Sequence, residues 1–386
     1  MRTIKAAVIG TGFMGEAHAE ALRRVPGVEI AAVASHRKER AEALAAKYGV
    51  EHAFDDWRRV LDLVDVEVVH NCTPNHLHFE VNRGLLEAGK HVVAEKPLTV
   101  DVAEAEELVR LAAERGVVHA VNFNYRFYPL VRHARALVQA GEVGAVHLVH
   151  GHYVQDWLLH ETDYNWRVEA GAGGASRAFA DIGSHWCDLV QFVTGRRITR
   201  VFADLFRVHE TRQRPTEVAE TFRSGQGATE AVSVETEDGA NVLLQFEGGA
   251  RGAVVISQVS AGRKNREWVE IDGSRCALAW DQERPNALWI GRRDGPNETL
   301  IKDPGLLDPA ARPFAHYPGG HPEGYPDGFK NHFLAVYRAV RDGLPAVPDF
   351  PTFADGLRAV RLVEAVLQSH REGRWVEVDG PRTTDH

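Results

Sequence analysis

Short apolar runs alternate with stretches of helical period through the first third of the chain. The runs cover residues 5–9, 29–34, 67–71, 91–94 and 117–121, and the stretches 37–48 and 102–115 place apolar residues three or four apart. Runs this short, rich in Val, Ile and Ala, read as strands buried on both faces, and their alternation with helices predicts a parallel sheet covered by helices. After Asn122 the pattern changes. A helix-like stretch at 130–139 precedes strand-like segments at 231–237, 241–246, 251–258, 267–271 and 277–280, spaced closely enough for an open antiparallel sheet. The pair Asp238-Gly239 predicts a hairpin turn joining the first two of these. Polar positions such as Gln245, Ser257 and Gln258 suit an outer face that is solvated or paired with a second subunit. Residues 291–328, rich in Gly, Pro and Asp, read as one long loop, and two helical patterns follow it.

Composition narrows the setting. A chain of 386 residues exceeds one ordinary core and predicts two domains. Its 44% hydrophobic and 26% charged content is that of a soluble globular protein, and no apolar stretch approaches the roughly 20 residues of a membrane helix, so no membrane partner is expected. The first ten residues read as a strand and not as an export signal, which suggests a cytoplasmic location. A formal charge of −9 with no Lys/Arg run argues against nucleic acid as a partner. Cys72, Cys187 and Cys276 show no metal-type spacing and fit a reducing compartment.

The first chemical signal is Gly10-Thr11-Gly12-Phe13-Met14-Gly15, set between the run at 5–9 and a helix-like segment at 16–24. Glycines at this spacing suit a tight turn, close approach of backbone to a pyrophosphate, and helix packing against the strand, with the phosphates at a helix N-terminus. The fold expected is therefore α/β, an N-terminal Rossmann dinucleotide-binding domain over 1–122 followed by a substrate-binding and oligomerisation domain over 123–386 with a large open, mainly antiparallel sheet. At the end of the second strand run, where an acid would bind the ribose of NAD, stands Ser35, followed by His36, Arg37, Lys38 and Arg40. A hydroxyl among bases suits a 2'-phosphate, so NADP(H) is favoured, with NAD(H) as the alternative. Two later strand ends carry Cys72-Thr73-Pro74-Asn75-His76-Leu77-His78 and Glu95-Lys96-Pro97. Thr73, Pro74, Asn75, His78, Glu95 and Lys96 are thus placed beside the nucleotide. A zinc reading of His76 and His78 fails, because residues two apart on a helix do not converge, and no metal is expected.

The next signal is Asp181-Ile182-Gly183-Ser184-His185. On a helix beginning near Ile182, Asp181 and His185 share a face. Removing a carbinol hydrogen as hydride leaves a hydroxyl proton to be taken up; a histidine suits that task, a carboxylate can hold its ring, and a lysine ammonium can steady the alkoxide. Lys96, Asp181 and His185 together make a chemically coherent catalytic set.

These four ordered motifs resemble those of the Gfo/Idh/MocA oxidoreductases, the family of glucose-fructose oxidoreductase and inositol dehydrogenase, and the resemblance spans essentially the whole chain. It implies a Rossmann domain followed by an open-sheet domain that builds dimers or tetramers, Lys96 as the motif lysine, Asp181 with His185 as its partners, and a cis Lys96-Pro97 bond. Gln155-Asp156-Trp157, Trp166-Arg167 and the glycine-rich 171–174 follow the order of the sugar and pyranoside dehydrogenases within the family. A polyol needs polar anchors and an apolar wall, for which Gln155, Asp156, Arg167 and His152, with Trp157 or Tyr153, are candidates. Asn122, Asn124, Tyr125 and Arg126 at the domain junction join them, with His321 and Tyr325 on the long loop. The activity implied is hydride transfer between a nicotinamide cofactor and a secondary hydroxyl or ketone of a sugar, glycoside or cyclitol. A glycoside hydrolase using transient oxidation, told apart by product without net cofactor change, and a non-catalytic nucleotide sensor, told apart by binding without turnover, are the alternatives.

Overall fold

The structure, a computed structural model, describes residues 2–216 and 228–379. Six parallel strands, β1 (Ile4–Ile9), β2 (Val28–Ala34), β3 (His52–Phe54), β4 (Val66–Asn71), β5 (His91–Ala94) and β6 (His119–Val121), lie in the order β3-β2-β1-β4-β5-β6. Helices α1 (Phe13–Leu22), α2 (Lys38–Tyr48), α3 (His78–Glu87) and α4 (Val102–Arg115) fill the crossovers. The register levels the strand ends: Ile9 lies opposite Ala34 and Asn71, Asn71 opposite Ala94, and Ala94 opposite Val121. The chain therefore leaves the sheet along one edge at Gly10, Ser35, Cys72, Glu95 and Asn122. Strand order reverses between β1 and β4, the place where doubly wound sheets bind ligands.

The second unit opens with α5 (Pro129–Gln139), β7 (Val146–Val154), a short α6 (Ala170–Gly173) and α7 (Ser184–Thr194). Strands β8 (Ile198–Phe206), β9 (Thr211–Pro215), β10 (Thr229–Ser233), β11 (Gly239–Phe246), β12 (Arg251–Ser257), β13 (Arg266–Gly273), β14 (Ala277–Asp281), β15 (Ala287–Gly291) and β16 (Glu298–Ile301) follow. Helices α8 (Tyr325–Asp342) and α9 (Phe353–Glu372) and the short β17 (Val376–Glu377) complete the order. The large sheet runs β16-β15-β14-β13-β7-β12-β11-β8-β17, antiparallel except for the β7/β12 pair. Its inner face packs on α5 and α7. On its outer face Leu148, Leu243, Val255 and Ile301 are exposed.

Three expectations need correction. The predicted hairpin around Asp238-Gly239 does not form: β10 pairs with β9 in a separate ribbon, while β11 lies between β8 and β12. Asp238 is fully buried and ion-paired with Arg177 and Arg212, so its carboxylate is a core group and not a turn residue. The loop expected over 291–328 contains β16 and is pinned by Lys302, whose buried ammonium meets Glu323 Oε2 at 2.7 Å and the carbonyls of Tyr317 and His321. The chain also departs from a single boundary at 122. The first compact unit comprises 1–124 and 325–360, and the second 125–324 and 361–386, so α8 and the first turns of α9 return to the nucleotide unit. Phe353 and Val360 join the β-sheet core there with Leu85, Leu98 and Leu108.

Glu267 on β13 faces the interior of the second unit with no exposure, and neither carboxylate oxygen finds a hydrogen-bond partner among the described residues. Burial, and next the charge of Asp188, push its carboxyl well above the usual range. Because the folded chain favours the protonated form, Glu267 supports folding below a pH of about 4.5 and that support is lost as pH rises toward the folded value. Glu267→Gln should therefore match the parent near pH 4.5 and become the more stable protein by up to about 1.4 kcal/mol per pH unit above it. Denaturant melts from pH 5 to 8 that run parallel for the two proteins would refute this.

Candidate active site

At the end of β1 the glycine loop has three distinct requirements. Gly10 takes φ +99°, and a Cβ there would lie 2.3 Å from the carbonyl oxygen of Cys72. Gly15 lets α1 sit on the strand, since a Cβ would come 1.9 Å from the Gly10 carbonyl. At Gly12, by contrast, a Cβ would meet nothing within 4 Å. No protein contact demands a glycine there, so the open space above the N-terminus of α1 fits the close approach of a pyrophosphate. Phe13, the first residue of α1, is half exposed and Met14 partly so. Thr11 Oγ1 donates to Ser35 Oγ at 3.0 Å, holding the buried Ser35 at the end of β2. His36, Arg37 and Lys38 are exposed just beyond it, with Arg40 in the first turn of α2.

The loops after β4 and β5 are locked to each other within this unit. Asn71 Oδ1 accepts from the backbone and hydroxyl of Thr73 at 3.2 and 2.7 Å. His78, buried, spans the gap: its Nδ1 lies 2.6 Å from the Pro97 carbonyl and its Nε2 2.8 Å from the Thr73 carbonyl. Burial holds its pKa below the usual range against the pull of the two carbonyls. His78 is therefore packed between the two loops, with a backbone carbonyl near each ring nitrogen, and is not the cofactor ligand expected. Pro74 and Asn75 lead into His78 on a single short helical turn. The Lys96-Pro97 peptide is cis, as the resemblance implied.

Glu95, next to Lys96, is buried yet ionised. Its Oε1 faces His18 Nε2 at 2.8 Å and accepts from Asn122 Nδ2 at 2.5 Å, while Oε2 takes the Lys96 backbone N–H at 3.3 Å. Burial opposes the charge, but these donors and the nearby Lys96 ammonium outweigh it and bring the carboxyl down to about 2. The motif thus fixes the lysine's backbone through a carboxylate that donors from α1 and the end of β6 hold in place.

In the second unit, Asp181 lies in a π-helical turn, Phe179–Gly183, that runs directly into α7, where His185 occupies the first turn. Asp181 Oδ2 accepts from Gln258 Nε2 at 3.0 Å, and its Oδ1 faces Arg167 Nε at 3.6 Å. Arg167, expected to anchor substrate, is instead a partner of Asp181, and it stacks on Trp166. The His185 ring meets Tyr125 edge-on at 4.9 Å between centroids. Tyr125 joins a polar cluster that sequence reading only half identified. Its hydroxyl lies 2.7 Å from that of Tyr153; Tyr153 and Gln155 Nε2 both donate to Asn265 Oδ1, at 2.7 and 2.6 Å; and Trp157 Nε1 donates to Gln155 Oε1 at 2.8 Å. Asn265, immediately before β13, gave no sequence signal because no motif surrounds it.

Other expected anchors are engaged elsewhere. The Arg126 guanidinium forms a buried two-pronged pair with Asp188 and lies over Phe192, which makes it a support beneath α7 and not a substrate anchor. Asp156 is held by Lys264 at 2.7 Å and the Gly262 N–H at 3.0 Å. His152 stacks on Trp268 and, one residue before the inward Tyr153, faces the other side of the sheet. Asn124 is buried at the end of the first unit; His321 is exposed, and Tyr325 packs on Phe329. Among the described residues one group of ligand atoms lies close enough to share a metal ion, His150, Glu270 and Asp272 on the outer face, where His150 Nε2 already faces Asp272 Oδ2 at 3.3 Å. No described helix is long and apolar enough to cross a membrane.

Residues 4–123 match the model of an oxidoreductase family with an NAD-binding Rossmann fold, and residues 131–279 match the GFO/IDH/MocA C-terminal domain. Levoglucosan dehydrogenase of Pseudarthrobacter phenanthrenivorans is 28% identical, over 98% of this chain and 99% of its own. The crystal structure of an oxidoreductase domain protein from Kribbella flavida is 34% identical, with a TM-score of 0.89 over 98% of this chain and all of that one. An inositol dehydrogenase homologue from Azotobacter vinelandii, solved with NADH and myo-inositol, is 28% identical with a TM-score of 0.83, over 97% of this chain and 98% of that one.

The glycine loop yields a separable prediction. Gly12→Val should leave the melting temperature within a few degrees of the parent while weakening nicotinamide dinucleotide binding by about tenfold or more, since the new methyls enter ligand space and not protein. Gly15→Val should lower stability itself. Calorimetry and cofactor titration of both variants check the contrast, and equal cofactor affinity in Gly12→Val and parent would contradict it.

Proposed function

The chain belongs to the Gfo/Idh/MocA oxidoreductase family, and on that premise we propose that it is an NAD(P)-dependent dehydrogenase acting on a secondary hydroxyl of a sugar, glycoside or cyclitol, or on the matching ketone. The observation that carries the reading is the shared edge of the Rossmann sheet, where the glycine loop after β1 and Glu95-Lys96 after β5 emerge on either side of β4. A bound nicotinamide supplies the hydride acceptor or donor. Lys96 hydrogen-bonds the reacting oxygen and steadies its developing charge. His185 takes the hydroxyl proton during oxidation and returns it in the reverse direction. Asp181, itself oriented by Gln258 and Arg167, fixes and compensates the imidazole. The cluster of Tyr125, Tyr153, Gln155, Trp157 and Asn265 around His185 offers hydroxyl-matching donors and acceptors beside an apolar wall, the combination a polyol needs.

The finer features follow from particular residues. NADP(H) is the favoured cofactor, because the Thr11–Ser35 hydroxyl pair and the exposed Arg37 and Lys38 carry no acid to repel a 2'-phosphate. Copies of the chain associate as a homodimer or homotetramer through the open sheet face that exposes Leu148, Leu243 and Val255. A reducing cytoplasm is its setting, in keeping with three buried thiols.

Reduced-nicotinamide absorbance during a screen of monosaccharides, glycosides and inositols with both cofactors tests the activity directly. Lys96→Met is expected to lower kcat/KM about 10³-fold, roughly 4 kcal/mol of transition-state stabilisation, with cofactor affinity unchanged within about threefold. Full turnover by that variant would remove Lys96 from the mechanism. Ser35→Asp should move cofactor preference toward NAD by about tenfold or more; a parent enzyme that already prefers NAD by that factor would defeat the NADP assignment.

A further inference from the structure

Behind the Glu95-Lys96 loop lies a line of buried polar side chains that the proposed chemistry leaves unused. His18 on α1, His70 on β4, and His332 and Tyr337 on α8 are all fully buried within the first unit. His18 Nδ1 lies 2.9 Å from His70 Nδ1, and His70 Nε2 lies 3.0 Å from the Tyr337 hydroxyl. Phe333 packs edge-on against both imidazoles, at 4.9 and 4.7 Å between centroids, and Phe329 closes over His18 at 5.7 Å. Such polar groups are costly unless each donor meets an acceptor.

Proton positions in this line are constrained by its contacts. The Glu95 carboxylate only accepts, so His18 Nε2 carries a hydrogen. Between the two facing Nδ1 atoms there is room for a single hydrogen. If His18 is neutral, its Nδ1 accepts from His70 Nδ1–H, His70 Nε2 is left as an acceptor, and Tyr337 donates to it. If His18 is a cation, every later bond reverses. The Tyr337 hydroxyl decides between them: fully buried, it has His70 Nε2 as its one hydrogen-bond partner among the described residues, and the reversed chain would leave its hydrogen without an acceptor.

We propose that Tyr337, His70 and His18 form a neutral, one-directional donor chain, Oη–H to Nε2, Nδ1–H to Nδ1, and Nε2–H to Oε1, that holds the Glu95 carboxylate in place and thereby positions the backbone carrying Lys96. A shorter arm reaches the same oxygen: His332 Nδ1–H donates to Asn122 Oδ1 at 3.0 Å, and Asn122 Nδ2 donates to Glu95. Both arms start on α8, which explains why residues 325–342 pack in the nucleotide unit although the chain reaches them only after the second sheet. Burial keeps the His70 pKa well below its usual value, so the ring is uncharged near neutrality. Burial, and next the charge of Glu67, push the Tyr337 pKa up, so its hydroxyl stays protonated. His18, His70 and Tyr337 are positioning residues; they need touch neither substrate nor cofactor.

This inference rests on the catalytic reading of Lys96 for its consequence, but not for its geometry. Neutron diffraction from deuterium-exchanged crystals of the full chain at pH 7 should show deuterons on His70 Nδ1, His18 Nε2 and Tyr337 Oη, with none on His70 Nε2. A deuteron on His70 Nε2, or on both nitrogens of His18, would overturn the chain. Kinetics supplies the functional arm. His70→Gln can still accept from Tyr337 and donate to His18, and should keep kcat within about threefold, whereas His70→Leu, of comparable volume in the same aromatic cage, should lose about tenfold or more per cofactor-binding site with cofactor affinity unchanged within about threefold. Equal kcat in the two variants would reduce His70 to packing and defeat the positioning role. Full turnover by Lys96→Met would sink the catalytic reading while leaving the deuteron positions as they are, so the two failures are told apart.

Discussion

One ionised carboxylate buried at the end of β5 sets conditions that much of the first unit satisfies. An isolated buried carboxylate costs several kcal/mol, and Glu95 escapes that cost only because donors from three separate elements meet it: His18 from α1, Asn122 from the end of β6, and the backbone of Lys96 itself. Those donors are in turn held by groups from α8. Removing α8 from the unit would leave His70 without Tyr337 and Asn122 without His332, so both arms leading to Glu95 would lose their far ends. The excursion of the chain through a second sheet before α8 returns is thus tied to the chemistry of one side chain.

The second unit solves a related problem around Asp181. Its π-helical turn follows Arg177, a fully buried guanidinium that pairs with Asp238, while Asp238 is shared with the equally buried Arg212. Arg212 in turn holds the carbonyls of Leu158, His160 and Asp163, so the loop after Trp157 and the turn bearing Asp181 are referred to the same carboxylate. Burial works against the Asp238 charge, but Arg177 and the backbone donors of Val208 and His209 bring it down to about 2. Two buried carboxylates, Glu95 and Asp238, therefore perform the same service in their respective units: each converges loops from distant parts of the chain.

What the linear order of residues determined is local. The spacing of Gly10, Gly12 and Gly15 between a strand and a helix and the strand-end position of Glu95-Lys96-Pro97 were legible, because each depends on backbone geometry over a few residues, whereas the helix expected to begin near Ile182 is preceded by a π-helical turn over Phe179–Gly183 that takes in Asp181. The parallel arrangement of the first sheet was legible for the same reason, since buried strands and amphipathic helices carry their own periods. Tertiary structure decided the rest. Asp238-Gly239 has the chemistry of a turn, yet the pull of Arg177 and Arg212 on its carboxylate takes it into the core. Arg126 and Arg167 read as substrate anchors until Asp188 and Asp181, respectively 62 and 14 positions further along, take them up. The partners of Glu95 could not be read at all: His18 is separated from it by 77 residues, and Tyr337 from His70 by 267. A hydrogen bond depends on where two atoms arrive in space, and no period or motif along the chain encodes an approach across that distance.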